Sequence, residues 1–374
     1  MKKILIVGAG IVGASAAYHL SMEHAEVVLI DRQEPGQATK AAAGIICPWA
    51  SQRRNKAWYA LASAGAAYYP AFIRSLEEQG ELETGYKKVG ALAIHTDLSR
   101  LEKKVELLNK RKEQAPEIGE VELLSPEQAA SYFPVLSDGH SAVRISGVAK
   151  VEGDQLLDAL KRVAVTRGVQ IIKGSATPYI KEGKVCGVIV EGQIIEGDQI
   201  IVAAGAWASE FTEPLGKKLQ VAGQKAQILH LQSTHEASGE WPVIMPPSTQ
   251  YIVPFQDGRF VAGATHEDTD DFDIQPTTGG VLEVLSHALP IAPALSSAEL
   301  TEVRVGIRPH TPNFMPVIGH LPDYPEIWIA NGLGSSGLTV GPLLGKLLSQ
   351  LVLDHETGWD LESYSINQII ADEH

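Results

Sequence analysis

Residues 2–13, Lys-Lys-Ile-Leu-Ile-Val-Gly-Ala-Gly-Ile-Val-Gly, limit what this chain can fold into more than any other stretch. An apolar run, Lys2–Val7, reads as a buried strand. It ends in Gly8-Ala9-Gly10-Ile11-Val12-Gly13, and a helical pattern follows over Ile11–Ser21. Gly8 allows the tight turn, Gly10 lets a pyrophosphate approach the backbone, and Gly13 lets the helix pack closely, with its N-terminus toward the phosphates. A second strand, Glu26–Asp31, ends in an acid 23 positions after Gly8, where a carboxylate meets an adenosine ribose and disfavours a 2′-phosphate. The unit is a βαβ dinucleotide site, with NADP its least suited occupant; NAD and FAD share the motif. The segment also imitates a secretory leader, with a basic start and Ala14-Ser15-Ala16. Cleavage there would remove the glycine loop, so that reading is rejected.

The chain has 374 residues, 44% of them apolar, enough for two or three folding units. Lys and Arg number 31 against 45 Asp and Glu, a net charge of −14 that argues against nucleic-acid and anionic-membrane partners. No stretch reaches the ~20 apolar residues of a transmembrane helix. The two cysteines, Cys47 and Cys186, form neither a disulfide framework nor a zinc cluster, which points to a cytoplasmic location. Twelve histidines lack HxxxH or HExxH spacing, so no metal is expected. Self-association into a homo-oligomer stays open.

Helical patterns run over Asn55–Gln79, Leu98–Glu113, Val151–Arg167 and Leu338–Leu353, with Glu102, Lys103 and Lys104 placed on a solvated face. Short strands crowd Lys225–Thr265, as in an antiparallel sheet. Nucleotide-type units at both ends and sheet between them predict an α/β fold with two interleaved domains. The first comprises 1–84, 145–218 and 302–374, and binds the dinucleotide; the second, of α+β type, comprises 85–144 and 219–301.

Three further segments suit an extended ligand. In Gln37–Ile46, small residues including Ala43, Gly44 and Ile45 allow close approach, and Thr39 and Lys40 are available to phosphate oxygens; a helix start without ligand contact is the alternative. Arg32, beside Asp31, joins this set. Ile201–Trp207 is a buried strand ending in Ala204, Gly205 and Trp207, suited to cofactor approach, although packing alone also explains it. Asn331–Thr339, with Gly332, Gly334, Ser335, Ser336, Gly337, Leu338 and Thr339, offers backbone N–H groups and a helix dipole that would stabilise negative charge on a reduced flavin. Arg308, at a strand end between Gly306 and Pro309, is placed to hold a carboxylate bidentately, with an ordinary surface ion pair as the alternative.

With Gly306-Ile307-Arg308-Pro309 and Pro316-Val317-Ile318-Gly319 added to these motifs, nearly the whole chain resembles the D-amino-acid oxidase superfamily of FAD-dependent oxidoreductases, nearest to glycine oxidase and bacterial D-amino-acid dehydrogenases. The resemblance implies a Rossmann-like FAD-binding domain of the glutathione-reductase type and an antiparallel-sheet substrate domain. It gives Arg308 the substrate carboxylate and makes Tyr251, opening Tyr251-Ile252-Val253-Pro254, a pocket residue whose hydroxyl reaches the same carboxylate. The implied reaction is oxidation of glycine, a D-amino acid or an N-methyl amino acid at the Cα–N bond, by hydride transfer to flavin N5. The imine then hydrolyses to a 2-oxo acid and ammonia or amine, and electrons pass to oxygen or another acceptor.

Departures from the family pattern matter. Glycine oxidase has a second Arg where Gly334-Ser335-Ser336 stands, which leaves glycine itself in question. The sarcosine-oxidase branch attaches its flavin through a Cys after the R-P motif, where His310-Thr311-Pro312 stands here, so FAD is expected to be non-covalent. That branch's oxygen-activating Lys has no counterpart in Arg259–Gly263. His310 entering the pocket stays open, and His266-Glu267-Asp268 reads as a solvated loop. The rivals are a 2-hydroxy-acid dehydrogenase of the same fold and a NAD-binding dehydrogenase or regulatory protein.

Overall fold

The computed structural model describes residues 1–234 and 236–371, omitting the side chains of 236 and 237. The glycine motif sits where two layers meet. Lys2–Val7 pairs in parallel with Ala25–Asp31 on one side and Gln199–Val202 on the other, so its last four residues are buried. Strands buried on both faces read as unbroken apolar runs, as this one does. The six-stranded sheet runs, edge to edge, Val317–Leu321, Tyr324–Asn331, Gln199–Val202, Lys2–Val7, Ala25–Asp31 and Gln170–Lys173; only the first strand is antiparallel.

The helix Ile11–Leu20 is buried on nearly all sides, beneath the C-terminal helix Gly337–Val352. Small residues permit this approach. A Cβ on Gly341 would stand 2.6 Å from Ile11 Cγ2, and one on Gly345 2.5 Å from Ser15 Cβ. The helix Lys56–Glu77 packs on the same C-terminal helix, with Asn55 capping it by accepting from the Trp58 amide.

A second sheet of nine strands gathers Ala91–His95, Val121–Leu124, Ser141–Ile145 and the strands between 222 and 310. It is antiparallel except where Val243–Met245 runs parallel to Ala91–His95. Its longest ladder pairs Ala222–Gln232 with Glu299–His310, and places Arg308 opposite Gln224. Val121–Leu124 and Ser141–Ile145 carry no clear strand signal; the first has Glu122 and Leu123 exposed and is recognised only through its pairing. The two sheets are tied by Ile307, whose amide donates to the Gly36 carbonyl at 2.9 Å. Gly306 makes that approach possible, since a Cβ there would meet the Ala41 Cβ at 2.6 Å. Among the described residues no helix is long and apolar enough to cross a membrane.

Candidate active site

A cavity of about 770 Å³ runs between the sheets, large within the roughly 300–1,000 Å³ range of ligand and cofactor pockets. Gly8, Gly10, Ile11, Val12, Asp31 and Thr39 form one end. Ala43, Gly44 and Ile45 line its course, opposite Ala204, Gly205 and Trp207. Gly334, Ser335, Ser336, Gly337, Leu338 and Thr339 form another wall, and Tyr251 and Arg308 come from the antiparallel sheet. These elements, more than 300 residues apart at the extremes, meet in one space.

The glycines divide into two kinds. Gly8 has φ +100°, and a Cβ there would lie 2.5 Å from the Ala203 carbonyl oxygen; at Gly13 it would lie 1.9 Å from that of Gly8. Protein fills those places. At Gly10 a Cβ meets only Thr39 Oγ1 at 3.5 Å, and at Gly334 and Gly337 nothing lies within 4 Å. These three face the cavity, leaving open space along a backbone with free N–H groups. Neither the helix starting at Ile11 nor that starting at Gly337 has a side-chain cap from its N-cap residue. This cradle fits an anionic, extended cofactor.

Asp31 is pre-oriented: Oδ2 accepts from the Ala9 amide and Oδ1 from the Gln33 amide, both at 2.6 Å, while Gln37 Nε2 donates to each oxygen. Thr39 Oγ1 accepts from the Ile11 amide at 3.1 Å. Asn331, buried in the quoted glycine loop but not singled out there, donates to the Gly205 carbonyl at 2.8 Å and accepts from the Gly332 amide at 2.7 Å. It thereby joins two loops of the cavity wall.

Four expected cofactor residues do not line the cavity. Gly13 stands behind the turn, and Gly332 packs against Thr311. Arg32 is held by Glu34 and Glu210 and lies 5.7 Å from the Trp207 ring centroid. Lys40 is exposed. His310 stacks on Phe314, with ring centroids 4.7 Å apart, outside the lining.

Arg308 is the electrostatic centre of the substrate end. Its sole side-chain bond among the described residues runs from Nη1 to Gln224 Oε1 at 3.5 Å, and no carboxylate lies within 4.0 Å of it. Burial pulls its pKa below the ordinary arginine value, yet an arginine remains a cation. Burial raises the Tyr251 pKa, opposed by Arg308, so its phenol stays protonated and able to donate. His266 lines the same end while staying exposed to solvent, as expected of its loop; partial burial and then Arg308 lower its pKa, so its ring is neutral at pH 7.

Two cations of the lining escape sequence reasoning. Lys104 lines the cavity instead of lying on a solvated face, and burial lowers its pKa. Its spacing carried a signal: Leu101 and Leu108, three before and four after it, are both buried. Arg53 lies in a loop and had no such signal; its guanidinium stands 4.8 Å from the Trp58 ring centroid.

Comparison with known proteins places this architecture. The sequence family described as FAD dependent oxidoreductase (DAO) matches residues 3–351. The chain belongs to this family. Among similar proteins, an uncharacterized oxidoreductase, YurR, of Bacillus subtilis (strain 168) is 53% identical over 97% of this chain and 98% of its own. A glycine oxidase of Pseudomonas aeruginosa is 28% identical over 97% and 98%. The crystal structure of iminodiacetate oxidase (IdaA) from Chelativorans sp. BNC1 is 42% identical with a TM-score of 0.94, covering 97% of this chain and 98% of its own. This DAO-family protein is therefore an enzyme, an FAD-dependent oxidoreductase, with the α/β architecture expected from its sequence.

Proposed function

We propose that this enzyme oxidises the Cα–N bond of a small amine bearing a carboxylate, and that Arg308 receives that carboxylate. The observation that carries the reading is the half-buried Arg308 guanidinium in the cavity wall with no acidic partner among the described residues. A partly desolvated charge without a partner is costly, so such a site is built for an anion from outside. The protonated Tyr251 hydroxyl supplies a neutral donor beside it. The names of the glycine and iminodiacetate oxidases support an amine as substrate.

The backbone at Gly8 and Gly10 would hold the FAD phosphates and Asp31 the ribose, and the N-terminus of the Gly337–Val352 helix would offer its N–H groups to negative charge on the ring system. When bound, FAD supplies the acceptor for two electrons and the Cα hydrogen. It is held without a covalent bond: Cys47, the cysteine of the lining, stays a thiol, with burial pushing its pKa up to about 11. Arg308 and Tyr251 fix the carboxylate and thereby aim the Cα–H bond, so positioning provides most of the acceleration. An amine that arrives neutral needs no side-chain base, in keeping with a His266 held neutral beside Arg308. The imine product takes up water and releases a 2-oxo acid and ammonia, or an amine from an N-substituted substrate.

The test mixes yellow holoenzyme anaerobically with D-, L- and N-substituted amino acids and with 2-hydroxy acids, then admits air. Bleaching by an amine, with ammonia or amine released, is the expected result; the return of colour in air identifies oxygen as acceptor. Bleaching by 2-hydroxy acids alone would overturn the reading.

A further inference from the structure

The cavity wall inverts the charge of the molecule. In a chain of net charge −14, the described residues of the lining include three full cations, Arg53, Lys104 and Arg308, against one carboxylate, Asp31. Asp31 is already engaged by the Ala9 and Gln33 amides at the dinucleotide end. None of the three cations has an acidic partner within 4.0 Å among the described residues, whereas Arg32, Arg144, Arg162, Arg259 and Arg304 all do. Carboxylates are plentiful in this chain and are kept away from the cavity.

Arg53 is oriented for a second anion. Its Nη2 donates to the carbonyls of Asn313 at 2.7 Å and Phe314 at 2.6 Å, and Trp58 lies against its face. Nη2 is thus anchored and fixes the plane of the guanidinium, while Nε and Nη1 donate to no described residue. The Pro312–Phe314 turn that anchors it begins two residues after the strand that carries Arg308 ends. Arg308 and Asn313 are five positions apart, a backbone span of at most about 17 Å even when extended. Here the chain folds back, with the Phe314 amide donating to the Thr311 carbonyl at 2.9 Å. A side chamber of about 270 Å³, formed by Arg53, Asn313, Phe314, Leu333, Gly334 and Ser335, shares Arg53 and the last three with the main cavity.

We propose that Arg53 is a specificity-determining residue for a second carboxylate, and that the substrate is a secondary amine carrying two carboxylates, one held by Arg308 and the other by the unengaged N–H donors of Arg53. The proposal rests on the amine-oxidation reading above. A guanidinium whose plane is fixed through Nη2 holds its remaining N–H donors in set directions toward a carboxylate, which a flexible lysine does not. The nitrogen of such a substrate lies between the two cations, and oxidation of its Cα–N bond proceeds as for a monocarboxylic amine.

The test uses holoenzyme in two measurements. Anaerobic bleaching rates are compared for iminodiacetate and for the monocarboxylic amines sarcosine and glycine. Calorimetric titration compares oxydiacetate with methoxyacetate, ethers that bind without reacting. Arg53→Gln is expected to weaken oxydiacetate, and to raise the KM for iminodiacetate, by about tenfold to a hundredfold, several times more than for the monocarboxylic partners. Arg53→Lys restores part of the loss, and Arg308→Gln weakens both classes. Equal losses on the two classes in Arg53→Gln, or a larger loss of oxydiacetate in Lys104→Met, would overturn the proposal. So would equal binding of the two ethers to the parent enzyme, leaving the amine reading intact. If no amine bleaches the flavin, the amine reading fails and takes the substrate proposed here with it.

Discussion

The two ends of the cavity are built by opposite means. The dinucleotide end is made mostly of backbone: glycine turns and helix starts with no cap from their own N-cap residues, with the side chains of Asp31 and Thr39 beside them. The substrate end is made of side chains that arrive from a strand end at Arg308, another strand at Tyr251, a helix at Lys104 and a loop at Arg53. A backbone site tolerates exchange of neighbouring side chains but not of the glycines themselves. A side-chain site can change its ligand through one substitution while the fold stays intact. One scaffold can therefore keep its cofactor and change its substrate.

The largest expected effect separates glycines packed against protein from those that face ligand space. Gly13→Val would drive a side chain into the Gly8 carbonyl, 1.9 Å from the ideal Cβ, and should abolish soluble folded protein. At Gly337 the same change meets no atom within 4 Å, so Gly337→Val should keep its circular dichroism and lose most of its bound FAD. Equal FAD content in Gly337→Val and the parent protein would remove this glycine from the cofactor cradle.

At the other end, Arg308→Lys should raise the KM of carboxylate substrates about a hundredfold, with the ratio of flavin to protein absorbance unchanged. Lysine keeps the charge but loses the planar fork. Tyr251→Phe, which removes one neutral donor, should cost about tenfold in KM; a loss as large as that of Arg308→Lys would mean that Tyr251 does more than donate to the carboxylate.

The smallest effect lies outside both ends. His19 is buried against Tyr68, its Nε2 2.9 Å from the phenol oxygen, and burial lowers its pKa to about 3; burial likewise lowers that of His230 to about 4. Below pH 6.5 the unfolded chain takes up protons that these folded sites refuse. Stability is therefore lost as pH falls from about 6.5 toward these values. Thermal melts between pH 7 and 5 should show Tm falling by a few degrees, with a shallower slope in His19→Asn. An unchanged slope in that variant would clear His19.

The nucleotide strand and the helix after it are legible because each depends on neighbours within a few positions. The clamp made by Asn331 was hidden inside a legible loop, since its partner Gly205 is 126 residues away. Lys104 faces the cavity although a charge on an amphipathic helix points to solvent, because it shares its face with the buried Leu101 and Leu108. Arg53 had no periodicity to betray it.

The sequence by itself determined the dinucleotide turn, the αβ alternation around it and the presence of a strand-end arginine, because glycine conformations and hydrophobic periods are local properties. Only the tertiary structure decided that Arg308 stands without a carboxylate among the described residues, that Lys104 and Arg53 turn toward the same cavity, and that Arg32 is taken up by Glu34 and Glu210. A charge acquires its role from the groups that surround it, and in this chain those groups come from distant segments that folding brings together.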